Sequence, residues 1–295
     1  MERLTDISAV RELLSRHGFT FSKALGQNFL INPSVCPRMA DAAVNSRGGT
    51  GAVGVLEIGP GIGVLTKELL LRAQKVVAVE LDKRLLPVLD ETLGGFDNLK
   101  VVNADVLELD LHRLIEEEFG GMEVVVCANL PYYITSPVVM KLLEDRLPIR
   151  SITVMVQKEA AERLCAVPGG RESSAITAAV RYYCEPAMLF RVSSGSFMPA
   201  PKVDSAVIQL VLQEPPVMPK DEKTFFRVIK AAFAQRRKTV LNSLSSSLSL
   251  DKSVIRAILS TAGVDENARA ERLTLADFAA VSDAVYEMGK TNHGE

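Results

Sequence analysis

The sequence predicts an α/β domain on a mostly parallel sheet, followed by a small all-α domain. Three observations carry this. An apolar run at 53–58 opens into Gly59-Pro-Gly-Ile-Gly63 and then a helical pattern over 64–71. A second run at 75–80 follows at once, so the segment reads as a βαβ unit with a glycine-rich first turn. Further β-branched runs at 98–103, 123–128 and 151–156 continue the series, and β-rich runs at 187–192 and 205–212 suit a terminal antiparallel pair.

Length and composition agree. A chain of 295 residues exceeds the usual single domain, and 47% hydrophobic with 24% charged residues is ordinary globular composition. The Pro-rich stretch at 213–219 is the best linker, giving domains at 1–213 and 219–295. Cys36, Cys127, Cys165 and Cys184 form no Cys-x-x-Cys pair, and His17, His112 and His293 lie in separate segments. A disulfide framework, a metal site and a Ser-His-Asp triad are therefore not expected. The N-terminus lacks a signal-peptide pattern and no apolar stretch approaches the roughly 20 residues of a membrane span, so a cytoplasmic protein is expected. A net charge of −2 argues against a nucleic-acid partner unless a basic surface is local.

Taken in order, residues 1–17 suit an amphipathic helix through Ile7, Val10, Leu13 and Leu14. Asn28, between Gly26 and Pro33, reads as a turn residue or a ligand contact. In the glycine turn, Gly59 and Gly61 let a nucleotide approach the backbone at a helix N-terminus. Glu80 ends the second strand about 20 residues on, where a carboxylate accepts ribose hydroxyl hydrogens. A dinucleotide fingerprint needs a third Gly or Ala where Val64 stands, so a nucleoside ligand without pyrophosphate fits better than a nicotinamide cofactor. Asp105, after the third strand, is either a helix N-cap or an acceptor for an adenine amino group. The fourth strand delivers Asn129-Leu-Pro-Tyr132, with Pro131 ending the ladder at the sheet's carboxyl edge.

The motifs Leu25-Gly-Gln-Asn-Phe-Leu30, Glu57-Ile-Gly-Pro-Gly61, Val79-Glu80, Ala104-Asp105, Asn129-Leu-Pro-Tyr132, Gln157-Lys-Glu159 and Ser196-Phe-Met-Pro-Ala-Pro-Lys-Val-Asp-Ser205 occur in one order. Through them the chain resembles the KsgA/Dim1 family of ribosomal RNA adenine dimethyltransferases over nearly its whole length. The resemblance implies a Rossmann-like class I methyltransferase sheet. It implies S-adenosylmethionine as donor, without a metal, held by Asn28, Leu30, Gly59, Glu80, Asp105 and Asn129. It implies two adjacent adenosines near the 3′ end of 16S ribosomal RNA, within the 30S subunit or its precursor, as substrate for a monomeric enzyme.

The chemistry suits these residue types. An adenine amino group is a poor nucleophile because its lone pair is delocalised into the ring. The Asn129 side-chain carbonyl, with the main-chain carbonyl of Leu130 or Pro131, can accept both amino hydrogens and aim the lone pair. Tyr132 would stack on the flipped base, with Phe197 as the other wall. Lys23, Lys158 and Lys202 are candidate RNA contacts, although a solvated helix-start lysine is the plainer reading of Lys158. Beyond the linker, Arg236, Arg237 and Lys238 follow an apolar stripe and, with Arg269 and Arg272, offer the local basic patch; the serine-rich stretch at 243–249 reads as a loop or frayed helix end. Three alternatives are a large-subunit adenine methyltransferase of the macrolide-resistance type, a DNA adenine methyltransferase, and a small-subunit assembly checkpoint with secondary catalysis. The first typically carries Ile at the position of Leu130, and the second Asn-Pro-Pro-Tyr or Asp-Pro-Pro-Tyr.

Overall fold

A computed structural model of the chain describes residues 4–20, 28–46 and 52–291. Lys23 and the first three residues of the Leu25–Leu30 motif fall outside the described residues. The chain divides into two compact units, Met1–Ala161 with Pro186–Leu212, and Glu162–Glu185 with Gln213–Glu295.

The first unit opens with helix α1 (Ile7–Arg16), whose N-terminal amides of Ser8 and Ala9 donate to the Asp6 carboxylate. A two-residue strand β1 (Phe29–Leu30) and helix α2 (Val35–Val44) precede the main sheet. Its elements follow as β2 (Val53–Ile58), α3 (Val64–Leu70), β3 (Lys75–Glu80), α4 (Leu86–Leu93), β4 (Leu99–Asn103), α5 (Leu111–Phe119), β5 (Glu123–Asn129), α6 (Thr135–Glu144), β6 (Ser151–Gln157) and α7 (Lys158–Cys165). Helix α8 (Ala175–Tyr183), which belongs to the second unit, precedes β7 (Cys184–Val192), a short β8 (Phe197–Met198) and β9 (Ser205–Leu212). The seven-stranded order is β4-β3-β2-β5-β6-β9-β7. Strands β2 to β6 pair in parallel, and β9 runs antiparallel to β6.

Burial explains why the central strands are continuously apolar. Every residue of β2 is buried, as expected of a strand covered on both faces. Gly54 has a packing reason: a Cβ there would lie 2.3 Å from the Phe119 ring of α5, so only glycine admits that helix so closely. The sheet order places β2 between β3 and β5. Chain connections leave β2 in opposite directions there, and ligands bind at such a switch point beyond the carboxyl ends of the strands.

One pairing is not visible in the sequence pattern. Strand β1 pairs antiparallel with β8, Leu30 opposite Phe197 and Phe29 opposite Met198. Phe197 therefore sits in a short ladder rather than a free loop, buried among Leu30, Met155 and Val207.

In the second unit, α9 (Glu222–Phe233), α10 (Val240–Leu248), α11 (Lys252–Thr261) and α12 (Leu275–Thr291) follow the linker. The serine-rich stretch is helical, correcting the loop expectation. Thr239 caps α10 by accepting from the Asn242 amide, and Val240, Leu241 and Leu244 bury one face at helical spacing. That burial outweighs the weak helix propensity of serine. Tyr182 and Tyr183 of α8 pack against Phe225 and Phe226 of α9, and both hydroxyls donate to the Glu222 carboxylate, at 3.1 and 3.0 Å.

Candidate active site

Four neighbouring strands converge on one cleft. The sheet order sets Asp105 beyond β4, Glu80 at the end of β3, the glycine turn after β2 and Asn129 at the end of β5. Registers are nearly level, since Ile58 lies opposite both Val79 and Ala128, and Glu80 lies opposite Asn103. The cleft encloses about 1170 Å³ counting its open mouth, and Asn28, Leu30, Gly59, Gly61, Glu80, Asp105, Asn129, Leu130, Pro131, Tyr132 and Phe197 all line it. Residues read from separate motifs thus line one cleft. Lys158 and Lys202 do not line this cleft; Lys158 opens α7, and Lys202 is exposed in the turn before β9. Arg236, Arg237 and Lys238 are exposed after α9 in the second unit.

The glycine turn is held from two sides. Gly59, Gly61 and Gly63 all have positive φ, at 69°, 61° and 89°, which side-chain-bearing residues adopt at a cost. A Cβ on Gly59 would meet nothing within 4 Å, so the turn faces open space there. The Gly61 amide donates to Glu80 Oε2 at 3.2 Å, and the Asp82 amide to Glu80 Oε1 at 2.8 Å. Burial raises the Glu80 carboxyl above its ordinary range, and these two amides counter the rise. Each oxygen keeps lone-pair capacity for a hydroxyl donor. Asp105 caps no helix, correcting that reading: α5 starts only after its own N-cap Asp110, and Asp105 Oδ1 accepts from the Leu107 amide at 2.9 Å within a turn, while the residue lines the cleft.

At the end of β5, the Leu130 amide donates to the Met155 carbonyl at 3.2 Å, fixing the strand end to β6. The Pro131 carbonyl already accepts from the Ile134 amide at 3.2 Å and the Thr135 hydroxyl at 3.3 Å. No donor among the described residues reaches the Leu130 carbonyl or the Asn129 side chain. Of the two main-chain carbonyls named from the sequence, that of Leu130 is therefore the one without a donor among the described residues. The Tyr132 hydroxyl lies 2.9 Å from Ser205 Oγ, which anchors the ring to β9. Burial raises the Tyr132 phenol, so it stays protonated at neutral pH.

Sequence reasoning assigns no role to Glu57. Its carboxyl is fully buried in β2 and lines the cleft, and Oε2 has no hydrogen-bond partner. Burial pushes its pKa up to about 8, with the neighbouring Thr66 hydroxyl opposing and the Glu80 charge reinforcing the rise. A single acid within an otherwise apolar strand is the signal that could have found it.

The sequence profile of the family described as ribosomal RNA adenine dimethylase matches residues 18–287. The chain belongs to that family. Among relatives, the ribosomal RNA small subunit methyltransferase A of Alkaliphilus oremlandii is 46% identical over 285 residues, covering 96% of this chain and 98% of its own. The protein of the same name from Geobacillus thermodenitrificans is 49% identical over 280 residues, covering 93% and 94%. Among solved structures, a dimethyladenosine transferase from Plasmodium falciparum superposes with a TM-score of 0.69 at 27% identity, covering 90% of this chain and 98% of that one. The 23S rRNA methyltransferase ErmE gives 0.64 at 28% identity, covering 88% and 100%.

An adenine dimethylase of this family takes its methyl groups from S-adenosylmethionine. The residues present fit that donor. Open space before Gly59, the free acceptor capacity of Glu80, and the orphaned buried oxygen of Glu57 provide room and polar partners for a nucleoside carrying a charged amino-acid arm. Among the described residues, no group of three His, Cys, Asp or Glu side chains is placed to hold a metal ion. No helix among them is long and apolar enough to cross a membrane.

Proposed function

We propose that this chain methylates the exocyclic amino groups of two adjacent adenosines near the 3′ end of 16S ribosomal RNA, acting as a cytoplasmic monomer on the 30S subunit or its precursor. Dimethylation of adenine in ribosomal RNA is the activity of the family to which the chain belongs, and the relatives at 44–49% identity are named small subunit methyltransferases. The observation that carries the finer reading is the pair of unengaged acceptors at one strand end, the Asn129 side chain and the Leu130 carbonyl, in the cleft that also holds Glu80 and Asp105.

Bound S-adenosylmethionine supplies a methyl group on a positively charged sulfur. Glu80 accepts from ribose hydroxyls, Asp105 from the donor's adenine amino group, and Gly59 and Gly61 leave the backbone open to it. Asn28, just before β1, and Leu30 within it line the same cleft, and Phe197 braces β1 through the β1–β8 ladder. The target adenine leaves its stack at a cost of a few kcal/mol, and Tyr132 offsets this by roughly 1–3 kcal/mol of base stacking. Asn129 and Leu130 accept the two amino hydrogens, localising the nitrogen lone pair and stabilising charge that develops on it. No strong base is required, because the nitrogen loses its proton easily once alkylated. After one transfer a hydrogen remains for a second round; after two, none does.

Names of relatives at 44–49% identity point to the small subunit, against 28% for the large-subunit enzyme. Tritiated-methyl transfer to unmethylated small and large subunits, followed by mapping of the labelled base, tests the reading. Label confined to two adjacent adenosines of 16S RNA is expected; label in large-subunit RNA would overturn it.

A further inference from the structure

The second tyrosine of the motif, Tyr133, has no part in the chemistry so far. It lines the same cleft, yet 54% of it is exposed, and it is the only aromatic among the exposed large apolar side chains of the described residues. Its neighbour Tyr132 is half-buried and anchored to Ser205, whereas Tyr133 makes no hydrogen bond or ring contact among the described residues. Nor is its position loose. Residues Tyr132–Ile134 form a single 3-10 turn, tied at Pro131 by the Ile134 amide and the Thr135 hydroxyl. A fixed backbone thus presents an unpartnered aromatic side chain at the mouth of a cleft whose interior takes one flipped base.

Flipping one nucleotide breaks the stack of its neighbour as well, leaving a second base with an uncovered face at the mouth. We propose that Tyr133 is the stacking platform for the nucleotide beside the flipped adenine, so that it selects for a purine there. This rests on the reading of two adjacent adenosines as substrate. Tyr133 then contributes to recognition of the RNA rather than to donor binding or to the acceptor pair. Because the strand runs one way through the cleft, the platform takes the neighbour on one side of the target, and for one of the two adenosines that neighbour is the other.

The test uses the full-length enzyme, S-adenosylmethionine and unmethylated small subunits. Tyr133→Ala is expected to raise KM for the particle about tenfold, within the range that base stacking on one ring supports. It leaves kcat within about twofold and the dissociation constant of S-adenosylmethionine unchanged; Tyr133→Phe restores the wild-type KM. Particles in which one of the two adenosines is replaced by uridine then complete a double-mutant cycle. Replacement costs the wild type several-fold on the remaining adenosine and costs Tyr133→Ala little more. A KM for Tyr133→Ala within twofold of wild type, an effect on donor affinity instead, or full additivity with the uridine replacement overturns the platform. Wild-type enzyme that does not label both adjacent adenosines overturns the functional reading itself, and with it this inference.

Discussion

Glu80 Oε2 accepts a hydrogen bond from the Gly61 amide at 3.2 Å, joining the end of β3 to the turn after β2. The carboxylate expected to hold a ligand's ribose therefore also shapes the loop against which that ligand lies. Phe29 reinforces the turn from the other side, because a Cβ on Gly61 would come within 3.4 Å of its ring.

Glu80→Ala removes the acceptor of both the Gly61 and Asp82 amides. We expect S-adenosylmethionine affinity to fall at least about tenfold, with a stability loss of about 1–3 kcal/mol from unsatisfied amides. Isothermal titration calorimetry and urea denaturation measure the two effects. An unchanged dissociation constant would remove Glu80 from the donor site.

Glu57 makes stability depend on pH. In the fold its carboxyl holds a proton up to about pH 8, whereas in the unfolded chain it ionises near pH 4. Between these values the folded state binds more protons than the unfolded state, so the stabilisation present at low pH is lost as pH rises through 8. Glu57→Gln abolishes this titration. The variant should therefore gain on wild type as pH rises from 5 to 8, by up to about 1.4 kcal/mol per pH unit. Denaturation of both proteins across that range checks the sign; a difference independent of pH would show that Glu57 is ionised in the fold.

The strand-end acids are legible in the sequence because strand, turn and helix signals bracket them: Glu80 and Asp105 stand where a parallel sheet exposes its carboxyl edge. Phe197 is assignable to the cleft, but not its pairing with Leu30, since two-residue strands distant in sequence carry no periodic signal. The choice between Leu130 and Pro131 is equally hidden, because it turns on where the Ile134 amide and Thr135 hydroxyl point. Helix α10 escapes a reading by composition because its serines mask the helical spacing of Val240, Leu241 and Leu244.

In the second unit, Glu222 joins two buried tyrosines. Glu222→Ala leaves the hydroxyls of Tyr182 and Tyr183 without their shared acceptor. A loss of about 2–4 kcal/mol is expected from unmaking two hydrogen bonds to a carboxylate. Replacing both tyrosines with phenylalanine in that background should recover part of it, as measured by chemical denaturation. Absence of recovery would mean that the penalty lies elsewhere than in the stranded hydroxyls.

Arg236, Arg237 and Lys238 are exposed and form no ion pair among the described residues. The hydrogen bond from the Val240 amide to the Ala268 carbonyl, 2.7 Å, brings the exposed Arg269 into the same neighbourhood. If these groups neutralise RNA phosphates, the triple alanine variant should bind small subunits more weakly and with a shallower dependence on salt. The log–log slope should fall by about 0.7–0.9 for each phosphate no longer neutralised. Binding measured between roughly 50 and 200 mM salt, where such interactions respond strongly, decides it. An unaltered slope would leave this segment as a solvated surface.

Asn129 separates catalysis from binding most cleanly. Its side chain lines the cleft without a hydrogen-bond partner among the described residues, so truncation strands nothing inside the protein. Asn129→Ala should keep wild-type thermal stability while methyl transfer falls by at least about 100-fold, the scale seen when one acceptor or donor to a developing charge is lost. Small-subunit binding should persist if the phosphate contacts tested at Arg236, Arg237 and Lys238 carry most of it. The same variant distinguishes an enzyme from a checkpoint: particles that mature normally with a bound but inactive variant would make assembly the primary role. Near-normal transfer by Asn129→Ala would instead show that the Leu130 carbonyl alone orients the nucleophile, and the two-acceptor arrangement would have to be abandoned.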